Sequence, residues 1–79
     1  MKTKEFVEKV NALGCDVLFR PLDIEVEDSK GSTVLSVPKG RQYVVNSDWI
    51  SFEFLNDAVQ AELFEIAVYY ASIKPEERE

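Results

Sequence analysis

Seventy-nine residues bound one domain with a modest core and leave no room for two. Apolar residues at 46% and charged residues at 30% give the balance of a folded chain rather than a disordered one. Fifteen acidic against nine basic residues leave a net charge of −6, which disfavours direct nucleic-acid binding, while the absence of histidine and the single Cys15 exclude imidazole-based triads, an internal disulfide and the usual zinc ligands.

The opening residues, Met1 to Glu8, mix lysine and glutamate and contain no apolar core of signal-peptide length. No later apolar run approaches the length of a membrane span. The expectation is a chain that stays in the cytoplasm, and one unpaired cysteine fits a reducing compartment.

Thr3 is a candidate N-cap, because its hydroxyl can accept from an unpaired backbone N–H. Phe6, Val10 and Leu13 follow at i, i+4 and i+7 and predict a helix over 4–13, with Gly14 supplying a left-handed C-terminal residue. Strands are predicted at 17–20, 24–28, 32–37 and 42–46. Pro21 belongs to the first turn, Asp28-Ser29-Lys30-Gly31 to a hairpin turn and Pro38-Lys39-Gly40-Arg41 to the third. In the second strand Ile24 and Val26 alternate with acidic residues, the period of a half-buried strand.

Ser47-Asp48 can cap a short helical turn carrying Trp49 and Ile50. Asn56 or Asp57 then caps a long helix over 57–72, with Val59, Leu63, Ile66 and Tyr70 at helical spacing. Pro75 should end it, leaving 74–79 as a charged tail or one further turn begun by the proline. The predicted fold is α+β: a three- to four-stranded antiparallel meander with both helices packed on one sheet face. The other face would expose Asp23, Glu25 and Glu27.

Three segments carry a family resemblance. Phe6 to Val17 follows an F-x-x-K-V-x-x-L-G-x-x-V pattern, Val37 to Tyr43 is similar to V-S-K-x-x-Q-Y, and Tyr70 to Glu79 is similar to Y-A-x-T-P-x-E-E-R. In this order they resemble small proteins of phages and prophages of Gram-positive bacteria, a family with no assigned activity. The resemblance implies an accessory protein acting in the host cytoplasm and transfers no functional residue.

Candidate partner-binding residues form three groups. Asp23, Glu25, Glu27 and Asp28 project carboxylates from one short stretch, which suits docking on a basic groove of a host or phage protein or serves only as a solvated surface. Lying side by side on a strand, they lack the facing geometry of a catalytic carboxylate pair. Trp49 and Phe52 belong to a dense apolar stretch that either anchors a partner or plugs the core. Tyr69 falls on the polar side of the last helix, where a homodimer contact is one use for it. Cys15 follows a helix C-terminus, whose dipole opposes a thiolate. The reading is a non-enzymatic interaction protein with no metal, cofactor or catalytic residue. In its sharper form it is an acidic inhibitor of a nucleic-acid-handling or defence enzyme, and the alternative is a self-associating assembly factor.

Overall fold

The computed structural model describes all residues from Met1 to Glu79. Helix α1 spans Thr3–Ala12, strands β1, β2 and β3 span Asp16–Phe19, Asp23–Glu27 and Thr33–Pro38, and helices α2 and α3 span Ile50–Glu53 and Asp57–Ser72. A single 3-10 turn, Pro75–Glu77, follows. The strands form an antiparallel meander in the order β1-β2-β3, as the short turn-rich connections require.

Ile24 pairs with Val37 and Val26 with Leu35, so one sheet face is apolar. Phe6 and Val10 of α1 and Leu63, Ala67, Tyr70 and Ala71 of α3 join these residues in one core. A register shift at Val26 and Glu27 makes Val34 an extra residue on β3. Val34 and Leu35 both join that one core, although strict alternation would put neighbours on opposite faces. The Phe6 ring stacks on Tyr70 with centroids 4.3 Å apart, fixing α1 against α3.

The predicted turns form. Asp28 Oδ1 accepts from the Lys30 and Ser32 amides at 2.9 and 3.0 Å, and Gly31 takes φ +83°. Gly14, at φ +85°, ends α1 as its lack of a Cβ allows.

Segment 42–46 does not become the predicted fourth strand. Only Asn46 pairs, as a single bridge to Ser36. Two hydrogen bonds to the end of α3 divert the segment: the Tyr43 amide donates to the Ala71 carbonyl at 2.8 Å, and Gln42 Nε2 donates to the Ser72 carbonyl at 2.8 Å. Tyr43 consequently sits at φ +65°, outside the extended region.

Two predicted caps also change. Thr3 is the first residue of α1 rather than its cap. Neither Ser47 nor Asp48 caps α2, which begins after Trp49 without a side-chain cap. Asn56 does cap α3, its Oδ1 accepting from the Val59 amide at 3.0 Å. Gln60 Nε2 reaches back to donate to the Glu53 and Leu55 carbonyls at 3.1 and 2.7 Å.

The acidic C-terminal segment folds back as the further turn begun by Pro75, and Arg78 is only 3% exposed. Its guanidinium donates to the carbonyls of Ile73, Pro38, Arg41 and Ala71 at 3.0–3.2 Å. It also lies 5.0 Å from the Tyr70 ring centroid. Since α3 has no basic residue in its last turn, Arg78 supplies the cation and the donors that its C-terminal carbonyls need. The Arg78 carbonyl accepts from the Thr3 amide at 2.6 Å and from Thr3 Oγ1 at 2.9 Å. With that proton committed, the Tyr70 hydroxyl is the donor in its 2.7 Å bond to Thr3 Oγ1.

Candidate interaction surfaces

The predicted site residues fall on three separate surfaces. Asp23, Glu25 and Glu27 share a sheet face with Asp16 and Leu18 through the β1–β2 register. All three are half-buried rather than freely projecting. Glu25 is engaged: its side chain is 18% exposed, lies 3.5 Å from Arg20 Nε and accepts from Thr33 Oγ1 at 3.3 Å. Asp28 is bound into its turn. Asp16, Asp23 and Glu27 are the carboxylates of this face without a cation beside them, since Arg20–Glu25 is the one ion pair in the molecule.

Trp49 and Phe52 are half-buried. Phe52 and Leu55 pack against the core, so this segment closes it, while Ile50 and Phe54 stay exposed. Phe52 also lines an open groove with Ser47, Asp57, Gln60, Ala61 and Phe64. Tyr69, 56% exposed, lines a different groove of about 600 Å³ between α1 and α3, with Met1, Leu13 and Ile66 among its walls.

A further surface joins residues that the sequence reading did not group. Phe64 and Val68 of α3 form a third groove with Tyr43 and Val45. Phe64 belongs to both this groove and the Phe52 groove. The two therefore make one apolar stripe along the side of α3. The available signal was the spacing of Ala61, Phe64 and Val68 at i, i+3 and i+7, a second apolar line beside the core-facing one.

Cys15 is buried at 4% exposure. Burial pushes its thiol up, and the nearby carboxylates of Asp28 and Asp16 push it further in the same direction. It is therefore a small apolar core residue and not an activated nucleophile. No three cysteine and carboxylate side chains converge as metal ligands do. No helix is long and apolar enough to cross a membrane.

These features define a small α+β domain whose distinctive chemistry lies on its outer surfaces. No protein-family model, curated protein or solved structure matches the chain.

Proposed function

We propose that this chain is a non-enzymatic accessory protein of a phage or prophage that acts by binding another protein. The binding face is the acidic side of the sheet, and the partner is a host or phage protein with a basic surface. A nucleic-acid-handling or defence enzyme is the sharper form of that partner, because a groove built for phosphates also accepts spaced carboxylates.

The observation that carries this reading is the unneutralised acidity. Of fifteen Asp and Glu side chains only Glu25 forms an ion pair. Asp16, Asp23 and Glu27 lie on one sheet face within a few strand positions of one another. The resemblance to phage and prophage proteins supplies the setting.

The test is capture of partners from host lysate on the immobilised protein, followed by titration of each purified partner at rising salt. The double variant Asp23→Lys/Glu27→Lys should weaken binding about tenfold or more, and added salt should weaken the wild type. Glu25 is a poor choice for substitution, because changing it also breaks the Arg20 and Thr33 contacts. Binding untouched by the double variant and by salt would sink the acidic-face reading.

A further inference from the structure

The two edges of the sheet differ. At the β3 edge Ser36 exchanges both backbone hydrogen bonds with Asn46, and the strand ends in Pro38. β1 pairs with β2 alone. The Arg20 amide donates to the Asp23 carbonyl at 2.8 Å, which continues the register of Asp16 with Glu27 and Leu18 with Glu25. Hydrogen-bonded pairs alternate along an antiparallel ladder. The backbone groups of Asp16, Leu18 and Arg20 therefore face β2, and the amides and carbonyls of Val17 and Phe19 point outward. No turn, loop or cap bond reaches those outward groups. An edge of this kind accepts a further strand. β1 is short, but it has no proline, no bulge and no charge on its core-facing row. In that row Val17 is half-buried and Phe19 is 54% exposed.

The row on the opposite face identifies the occupant. Asp16, Leu18 and Arg20 read acid, apolar, base at alternate positions. A second β1 laid antiparallel, with the two-fold axis at Leu18, sets Asp16 of each copy opposite Arg20 of the other and Leu18 opposite Leu18. The same register sets Val17 opposite Phe19, so that every outward amide finds an outward carbonyl. A shift of one residue would set outward groups against inward ones. A shift of two brings in Cys15, whose amide already donates to Val10, or Pro21, which has no amide proton. Arg20 meets Glu25 through Nε, yet its side chain stays 55% exposed. Asp16 is exposed and has no cation beside it. Leu18 is the apolar member of a patch otherwise formed by Asp16, Arg20, Asp23, Glu25 and Glu27. The carboxylates of β2 stand one strand back from the seam, so no two like charges are directly opposed across it.

We infer that the β1 edge is the contact of a homodimer, in which two copies pair antiparallel about Leu18 into one six-stranded sheet. Backbone hydrogen bonds between Val17 and Phe19 of opposite copies join the strands. On the helix side each Phe19 covers Val17 of the other copy, and on the outer side the Asp16–Arg20 pairs flank the two leucines. The two-fold axis stands perpendicular to the sheet, so Asp23 and Glu27 of both copies lie on one side of it and outside the contact. The pairing stands on the edge geometry and not on the acidic-face reading.

Sedimentation equilibrium across the micromolar range tests this. The wild type should show a monomer–dimer equilibrium. Phe19→Pro removes an outward donor without touching the β2 ladder, and Leu18→Lys sets two ammonium groups against each other at the axis. Each should raise the dimer dissociation constant about tenfold or more, with circular dichroism showing the variant folded. Asp16→Arg should weaken the dimer, and adding Arg20→Asp to the same chain should restore it. Register is read by cross-linking in a Cys15→Ala background. Leu18→Cys should form a disulfide-linked dimer under mild oxidation, because residues facing each other at a non-hydrogen-bonded position are close enough to bridge. Leu22→Cys, at a position 79% exposed beyond the ladder, should not. A protein monomeric throughout overturns the inference, including one whose edge is instead taken by an extended peptide of another protein. So does a dimer that ignores Phe19→Pro and Leu18→Lys, one that the charge exchange fails to restore, or one in which Leu18→Cys links no faster than Leu22→Cys. Asp23→Lys/Glu27→Lys should remain dimeric, so loss of the lysate partner and loss of the dimer are read separately.

Discussion

Cys15 lies just past the C-terminus of α1, buried and close to Asp16 and Asp28. Its folded-state pKa is raised, first by burial and then by these carboxylates. The unfolded thiol ionises at its ordinary value while the native one keeps its proton, so the unfolded state binds fewer protons in between. The stabilising contribution is complete below the unfolded pKa and is lost as pH rises through the folded one. Denaturation curves should show declining stability across the alkaline range, and Cys15→Ala should remove that component. Iodoacetamide should alkylate the native protein far more slowly than the urea-unfolded chain at the same pH. The inert character of Cys15 was legible from its position. The role of Arg78 was not, because its four acceptor carbonyls come from positions 38, 41, 71 and 73 and meet only after folding. Locally it reads as one more charge in a Glu-rich run. The lack of any lysine or arginine in the last turn of α3 was the one hint that a cation must arrive from elsewhere.

Elements that depend on local chemistry were read well. Asp28 and Gly31 turn the hairpin within a few residues, and α3 covers the span predicted from its apolar period. Its Asn56 cap is likewise local, so Asn56→Ala should cost about 1 kcal/mol in urea unfolding, with Asn56→Asp close to the wild type. The fourth strand failed because its hydrogen bonds were taken elsewhere. Tyr43 and Val45 line the α3 groove instead, and the Tyr43 amide goes to Ala71. The candidate site divides in the same way. Acidity on β2 follows from alternation alone, whereas the ion pair of Glu25 with Arg20 and the apolar stripe at Phe64 arise from tertiary neighbours.

At the scale of the molecule, Arg78 joins the ends of β3, α3 and the loop at Arg41, and its carbonyl holds the start of α1. Arg78→Met should keep some of the packing on Tyr70 but strip donors from four carbonyls. We expect a loss of about 3 kcal/mol or more, a large part of the roughly 4–12 kcal/mol available to a domain of this length. Arg78→Lys should not rescue it, because one ammonium cannot reproduce the planar fork. Thermal and urea unfolding of both variants give the measurement, and a loss under 1 kcal/mol would make the buried guanidinium a bystander.

The bond from Thr3 to Arg78 spans a separation of 75 residues. During synthesis α1 can meet β1 early, but Tyr70 and Arg78, against which Phe6 and Thr3 lock, are made more than 60 residues later. Closing so long a loop carries an entropic cost that only the completed core repays. The nascent chain therefore holds the α3-facing side of Phe6 open until Tyr70 is made, an interval when a chaperone, or a second chain on the same message, can reach what the finished protein hides.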